Sequence, residues 1–205
     1  MEVQPTMPTR LDLRTSLRLR LEDTGATVLW DDAFLNDAIA DAIRRYAIHQ
    51  PKQVILSTSV AAGATRIALT VNAFDPTRIL RIFDPTGALV PRIRSCDPPE
   101  DSGQGWRPFA DGITLVEGAI AGTWVIEHLA PRAVPTDDVA ALDILAGDDW
   151  VVLRIAYALA LDRRATEEAK RGDGSAVPLR SLAQAAWEMV DRWAVPVSRR
   201  ARLAG

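Results

Sequence analysis

The chain of 205 residues has little of what metal centres, disulfide scaffolds and membrane spans require. Its single cysteine, Cys96, excludes an intramolecular disulfide and a cysteine-rich zinc site. Only two histidines occur, His49 and His128, which excludes a metal centre built from several histidines. No run of about 18 uncharged apolar residues is present, and Arg154 interrupts the stretch 150–161, so no membrane-spanning helix is expected. Residues 1–10 lack the apolar core of a secretory signal, and the single cysteine fits a cytosolic protein.

The charge is nearly balanced, with 24 basic and 27 acidic residues and a net charge of −3. This balance lacks the excess of positive charge that binding to a phosphate backbone requires. The basic residues are 22 arginines and two lysines, Lys52 and Lys170. A GC-rich genome is the interpretation of this bias that we favour. Arginine-rich contact surfaces are the second interpretation, because arginine forms bidentate pairs that lysine cannot form, and the two can hold together.

The first 50 residues are predicted to form two helices. Leu11, Leu17 and Leu21 lie along one side of the first helix. Asp31 or Asp32 is expected to cap the second helix, because either carboxylate can accept free backbone N–H groups at a helix start. A stripe at 3.6-residue spacing predicts the buried face of the second helix: Leu35, Ala38, Ile39, Ala42, Ile43 and Tyr46. The opposite face carries the charged residues, with Asp41 and Arg45 spaced as an i,i+4 pair.

The middle of the chain, 51–134, is predicted to be rich in β-structure. Apolar and polar residues alternate in about six short segments, which is enough for a small sandwich or barrel. Residues 84–87 read Asp-Pro-Thr-Gly, a type I turn signature that predicts a hairpin between strands over 79–83 and 88–94. In the last segment Trp124, Ile126 and His128 are expected to share one face.

Residues 135–196 are predicted to be helical again, and 197–205 form an arginine-rich tail without a pattern. The stretch 150–161 is apolar nearly all round, which predicts a central buried helix. Leu182, Ala186, Met189 or Val190, and Trp193 predict the buried face of a last helix that Pro196 ends. The fold class is therefore α+β, with a four-helix-type bundle built from 1–50 and 135–196 and a β-rich insertion projecting between them.

No signature of catalysis or cofactor binding is found, so we expect no enzyme and no cofactor. A phosphate-binding glycine loop and a serine nucleophile elbow are both missing. The acidic pairs 31–32, 137–138 and 148–149 each precede a predicted helix, which favours capping over metal binding. Trp106 and Trp124 form either a stacking platform for a ligand or, as we favour, part of a β core. A helix-turn-helix DNA reader is rejected, because about nine residues separate the first two helices.

Three segments together resemble the head-to-tail connector, or adaptor, proteins of tailed bacteriophages. Residues 17–23 read LRLRLED and match the family pattern L-R-x-x-L-x-D. Trp30, Asp32, Leu35, Ile39 and Ala42 match W-x-D-x-x-L-x-x-x-I-x-x-A. The apolar helix 150–161, with YALA at 157–160, follows the β-rich middle as it does in the family.

The resemblance implies a structural virion protein that is assembled in the host cytoplasm and located in the neck. Such adaptors form a dodecameric ring below the portal protein, extend the DNA channel and dock stopper or tail proteins. Contacts in a ring are heterologous, so both flanks of each subunit must be complementary. DNA would pass the channel without specific binding. Head-closing stoppers and tail terminators are the alternatives within the virion.

The resemblance also assigns two sets of candidate contact residues. The bundle surface between subunits would use Arg14, Arg18, Asp37, Asp41, Arg44 and Arg45. The portal-docking tail would use Arg192, Arg199, Arg200 and Arg202. A different class of function, a cytosolic sugar- or small-molecule-binding protein, would instead use Trp106 and Trp124 of the insertion.

Overall fold

The computed structural model has a mixed α+β fold and describes residues 7–25, 28–69, 78–93, 105–109 and 112–203, with the backbone alone over 195–203. The chain divides into two compact units. A helical unit comprises Met1–Gln50 and Arg132–Gly205, and a β unit comprises Pro51–Pro131. The helices are α1 (Arg10–Arg20), α2 (Asp32–His49), α3 (Asp149–Arg171) and α4 (Ala176–Leu203). The strands are β1 (Lys52–Val60), β2 (Arg66–Ala68), β3 (Ile79–Phe83), β4 (Leu89–Val90), β5 (Trp106–Phe109), β6 (Gly112–Leu115) and β7 (Gly122–Ala130).

Side-chain caps fix the starts of α1 and α2. Thr9 and Asp12 form a capping box, in which each side chain accepts a hydrogen bond from the other residue's backbone N–H. Asp31 caps α2 by accepting a 2.7 Å hydrogen bond from the N–H of Phe34. Of the two aspartates open to this role, Asp31 therefore takes it, and Asp32 begins the helix.

The predicted stripe of α2 is confirmed, since all six of its residues are buried. The stripe predicted on α1 is partly wrong. Leu17 is fully buried and Leu21 packs against the core, but Leu11 is 45% exposed and Leu13 takes its place. Leu13 and Leu17 lie one turn apart on α1, so they face the core together.

Helix α3 supplies the centre of the helical core, as predicted from its apolar run. Most residues from Val151 to Leu161 are buried against α1, α2 and α4. Of the stripe predicted on α4, Ala186 and Val190 are buried and Trp193 packs against the core, whereas Leu182 and Met189 are about half exposed. The start of the stripe is therefore wrong, because Leu179 and Ala183 rather than Leu182 face the core.

Two further helix predictions are wrong. Helix α4 does not end at Pro196 but continues to Leu203, so the segment predicted as a patternless tail has helical backbone. Proline lacks a backbone N–H, so α4 loses one hydrogen bond at Pro196, but the backbone remains helical through this position. No helix follows the pair 137–138 either, because Asp137 instead accepts hydrogen bonds from the N–H groups of Val139 and Ala140 in a local turn.

The β unit contains two antiparallel sheets, with strand orders β1-β7-β3-β4 and β2-β6-β5. Residues of both sheets form one hydrophobic core that includes Trp106, Trp124 and Ile126. This sandwich-like arrangement has seven strands among the described residues, one more than expected. Of the strand predicted over 88–94, only Leu89–Val90 forms, and residue 94 lies outside the described part.

The hairpin turn predicted at 84–87 is confirmed. The N–H of Gly87 donates a 2.9 Å hydrogen bond to the carbonyl of Asp84, and Gly87 has a φ of 85°. The Asp84 carboxylate accepts from the N–H groups of Thr86 and Ala88. These bonds lower the pKa of Asp84, the hydroxyl of Thr86 making the largest contribution.

Candidate interaction surfaces

Arg14 lies inside the helical unit rather than on its surface. It is 8% exposed and forms a bidentate pair with Asp138, at 2.7 and 3.1 Å, and a 2.9 Å hydrogen bond to Asn36. Arg10 also donates to Asp138 at 2.8 Å. The guanidinium of Arg14, followed by that of Arg10, holds the pKa of Asp138 below its usual range. This cluster joins α1 to α2 and to the segment before α3.

Arg18 is also occupied within its own unit. Its guanidinium pairs with Asp23 and Asp32 and donates a 2.7 Å hydrogen bond to the carbonyl of Trp30. The pair with Arg18 lowers the pKa of Asp32. Asp23 also accepts hydrogen bonds from the N–H groups of Leu29 and Trp30. Arg14 and Arg18 therefore hold the α1–α2 connection in place and leave the predicted contact surface to residues of α2.

The outer face of α2 carries the remaining predicted contact residues. Asp37 and Arg44 are exposed, at positions opposite the buried stripe of the helix. Arg45 lies over the ring of Trp187 at 4.9 Å, so the predicted Asp41–Arg45 pair does not form. Asp41 instead pairs with Arg44 at 2.6 Å and with Arg163 of α3. We define the α2 outer face as Ala33, Asp37, Arg44 and Ile48, the last of which is 70% exposed.

Asp37 is the unpaired charge at the centre of the α2 outer face. It makes no hydrogen bond or ion pair with any residue that the structure describes. Arg44, by contrast, is engaged by Asp41. The α2 outer face thus offers one free carboxylate, between Ala33 and the already paired Arg44.

A cavity of about 700 Å³ opens between the end of α1, the second half of α3 and the start of α4. Its apolar lining includes Leu29, Trp30, Tyr157, Leu161 and Leu182. Its rim carries both signs of charge, because Glu168 forms ion pairs at 2.6 Å with Arg164 and at 3.5 Å with Arg171. The charged residues that line the cavity balance, with three arginines and three acids: Arg20, Arg164, Arg171, Glu22, Glu168 and Asp173.

A partly exposed stripe of α3 has at its centre an arginine, Arg154, without a partner among the described residues. Trp150 is 43% exposed, and Arg154 and Tyr157 are partly exposed on the same side of the helix. The Nε of Arg154 is buried without a hydrogen-bond partner, and the guanidinium makes no hydrogen bond or ion pair with any described residue. A buried, unsatisfied cationic donor is costly, so such groups are normally paired. We call Trp150, Arg154 and Tyr157 the α3 stripe.

The α3 stripe and the α2 outer face lie on opposite sides of the helical unit. The side of α3 that faces α2 is marked by Arg163, which binds Asp41 and lies 5.8 Å from the ring of Phe34. Ile155 also lies toward this side, and the cleft that it lines with Ile48 marks the edge of the α2 outer face. At 3.6 residues per turn, positions 150, 154 and 157 point away from positions 155 and 163.

Trp106 and Trp124, the candidates for a ligand platform, have no exposed ring face. They are 1% and 0% exposed and lie in the core shared by the two sheets. Trp124 donates a 3.0 Å hydrogen bond to the carbonyl of Ile120, and Arg92 lies over the ring of Trp106 at 5.3 Å. The favoured interpretation of the pair as core is confirmed, and stacking on an external ligand would require opening the core.

The arginines of the predicted docking tail lie on α4. Arg192 is exposed. Arg199, Arg200 and Arg202 lie in the last turns of the helix, where the structure gives the backbone alone. The helical backbone places all four on one continuous element with the core residue Val190.

Other chemical sites are not found in the described part of the chain. His49 is the last residue of α2, while His128 is buried on β7 in the other unit. Among the residues described, no three His, Cys, Asp or Glu side chains cluster so that they could hold a metal ion. Within the same residues, no helix combines the length and apolar character needed to cross a membrane.

The α3 stripe was not among the residues proposed from the sequence. Its signal was present, because Arg154 is the single charge within the apolar stretch 150–161. A lone charge in an otherwise buried helix marks either an internal ion pair or an exposed strip, and only the packing distinguishes the two. No family model matches the chain, and no curated protein matches it significantly in sequence.

Proposed function

We propose that this chain is a head-to-tail adaptor of a tailed bacteriophage, one subunit of a ring that sits below the portal protein. The observation that carries the proposal is the arrangement of the segments that resemble this family. Three segments carry the resemblance. The first, 17–23, covers the end of α1 and the start of the connection that follows it, and the second, 30–42, covers the start of α2. The third, 157–160, lies on α3, more than 100 residues further along the chain. All four helices belong to one helical unit, into which the β unit is inserted.

The charge distribution supports a structural role. Several arginines of the helical unit form specific pairs within the chain, such as Arg14 with Asp138 and Arg18 with Asp32. With 24 basic and 27 acidic residues and a net charge of −3, the chain as a whole lacks the excess of positive charge that would retain DNA moving through a channel. Its partners would be the portal protein, neighbouring copies and stopper or tail proteins.

Two alternatives are weaker. Stoppers and terminators within the same virion lack, as a rule, two helical zones that enclose a β insertion. A sugar-binding protein would need an accessible aromatic face, and Trp106 and Trp124 are buried.

The test is co-expression with the portal protein encoded beside the gene, followed by electron microscopy of the complex. We expect a ring of this chain stacked on the portal. A ring that forms only with tail proteins would favour a stopper or terminator, and a monomer without affinity for the portal would overturn the proposal.

Deletion of 198–205 should abolish docking to the portal protein, and Arg192→Ala should weaken it. Both variants should keep the helical circular dichroism of the wild type.

A further inference from the structure

We propose that the α3 stripe of one copy binds the α2 outer face of the next copy, with Asp37 and Arg154 forming the central ion pair. The inference rests on the proposed function, because it specifies how neighbouring subunits of the ring would touch. It also identifies the occupant of the α3 stripe as a second copy of this chain.

The first argument is the unmet requirement of Arg154. Its Nε is buried, and the guanidinium has no acceptor among the described residues. Arginine is always charged, so this group cannot avoid the cost by losing a proton. Trp150 and Tyr157 flank it one turn away on either side and are partly exposed. A carboxylate docked between the two rings would accept the guanidinium's hydrogen bonds and be shielded from water.

The second argument is the matching requirement of Asp37. This carboxylate is exposed and unpaired, and it occupies the middle of the α2 outer face. Its neighbours along the face are Ala33 on one side and Arg44 on the other, and Arg44 is already paired with Asp41. Ile48, 70% exposed, lies a further turn away. An unpaired acid on one surface complements an unpaired base on the other in charge.

The third argument is the placement of the two surfaces. A ring of many copies needs its two contact surfaces on nearly opposite sides of each subunit. The α3 stripe and the α2 outer face meet this condition, because α2 packs on the side of α3 that carries Arg163. Glu188 of α4 is an exposed acid as well. It lies on the outer side of α4, opposite Ala183 and Val190, and therefore fits this opposite-flank geometry less well.

The test uses charge reversal in the full chain, with assembly followed by sedimentation velocity, alone and with the portal protein. Asp37→Arg and Arg154→Asp should each weaken self-association by at least about tenfold, because like charges then face one another. An equal mixture of the two variants should assemble, since every contact again joins opposite charges. The double variant should assemble for the same reason. Glu188→Arg is the matched control and should assemble like the wild type.

Each outcome decides the matter. Loss in both single variants with rescue in the mixture supports the contact. Single variants that assemble like the wild type overturn the contact without touching the proposed function. Loss in both single variants without rescue in the mixture also overturns the contact, because opposite charges then fail to restore it. A wild-type chain that remains monomeric both alone and with portal overturns the proposed function as well. The neutral variants Asp37→Asn and Arg154→Gln repeat the test if circular dichroism shows that a reversal unfolds the chain.

Discussion

The hydroxyl of Tyr46 donates a 2.6 Å hydrogen bond to the carboxylate of Asp148, 102 residues further along the chain. The whole β unit lies between the two residues. Arg132 reinforces the link, because its Nε donates a 2.6 Å hydrogen bond to the carbonyl of Gln50 and its guanidinium lies 5.3 Å from the Tyr46 ring. The helical unit thus holds the outgoing and returning ends of the insertion together with a small polar cluster.

Replacing Tyr46 by phenylalanine should destabilise the helical unit by about 1–3 kcal/mol. The variant keeps the ring in the core but leaves Asp148 and the N–H of Leu145 without the hydroxyl that both contact. Urea unfolding followed by circular dichroism at 222 nm measures the loss. Tyr157→Phe removes the only other tyrosine hydroxyl from a partly exposed site. It should change stability by less than about 0.5 kcal/mol.

The same residue predicts a loss of stability in alkali. Burial, followed by the hydrogen bond to Asp148, raises the pKa of Tyr46 to about 12. The unfolded chain loses this proton near pH 10, so between about pH 10 and 12 the folded state binds more protons than the unfolded state. Stability should therefore fall across that range. Tyr46→Phe should flatten this part of the profile, and an unchanged slope in the variant would assign the titration to another group.

The loss of folding stability at acidic pH should depend on Asp138. Arg14 and Arg10 lower the pKa of Asp138 in the folded state, so its contribution is present above the unfolded pKa of about 3.9 and is lost as the pH falls through the folded value. Asp138→Asn removes the charge and should reduce the loss of stability below pH 4, while lowering stability at pH 7. Asp37→Asn, which removes an exposed and unpaired acid, is the control and should leave the profile of the monomer nearly unchanged.

Local sequence patterns predicted those features that depend only on residues close together in the chain. The stripe on α2 and the turn at Gly87 are examples, since spacing and turn chemistry determine them directly. Contacts between distant segments were not predictable in this way. The i,i+4 rule assigned Arg45 to Asp41, but packing brings Arg163 to that carboxylate and places Arg45 over Trp187.

The remaining errors have a related physical origin. Leu182 and Leu179 fit the periodicity of α4 about equally well, and only the angle at which α4 meets α3 decides which is buried. At Pro196 the local preference for ending a helix is overridden, and α4 continues. Arg154 was visible as an interruption, but its missing partner becomes apparent only when every neighbouring side chain is in place.

Gly122, the first residue of β7, is predicted not to tolerate a side chain. Its φ is +141°, and an added Cβ would lie 2.7 Å from the Cβ of Pro85 in the β3–β4 turn. Gly122→Ala should therefore destabilise the β unit by about 2–4 kcal/mol, from backbone strain and overpacking together. Urea unfolding followed by near-ultraviolet circular dichroism measures the change, because Trp106 and Trp124 of this unit are two of the six tryptophans that contribute to the signal. Gly174→Ala, where no atom lies within 4 Å of the added carbon, is the matched control. It should be nearly neutral, and equal midpoints for the two variants would show that the approach of Pro85 to β7 does not constrain the fold.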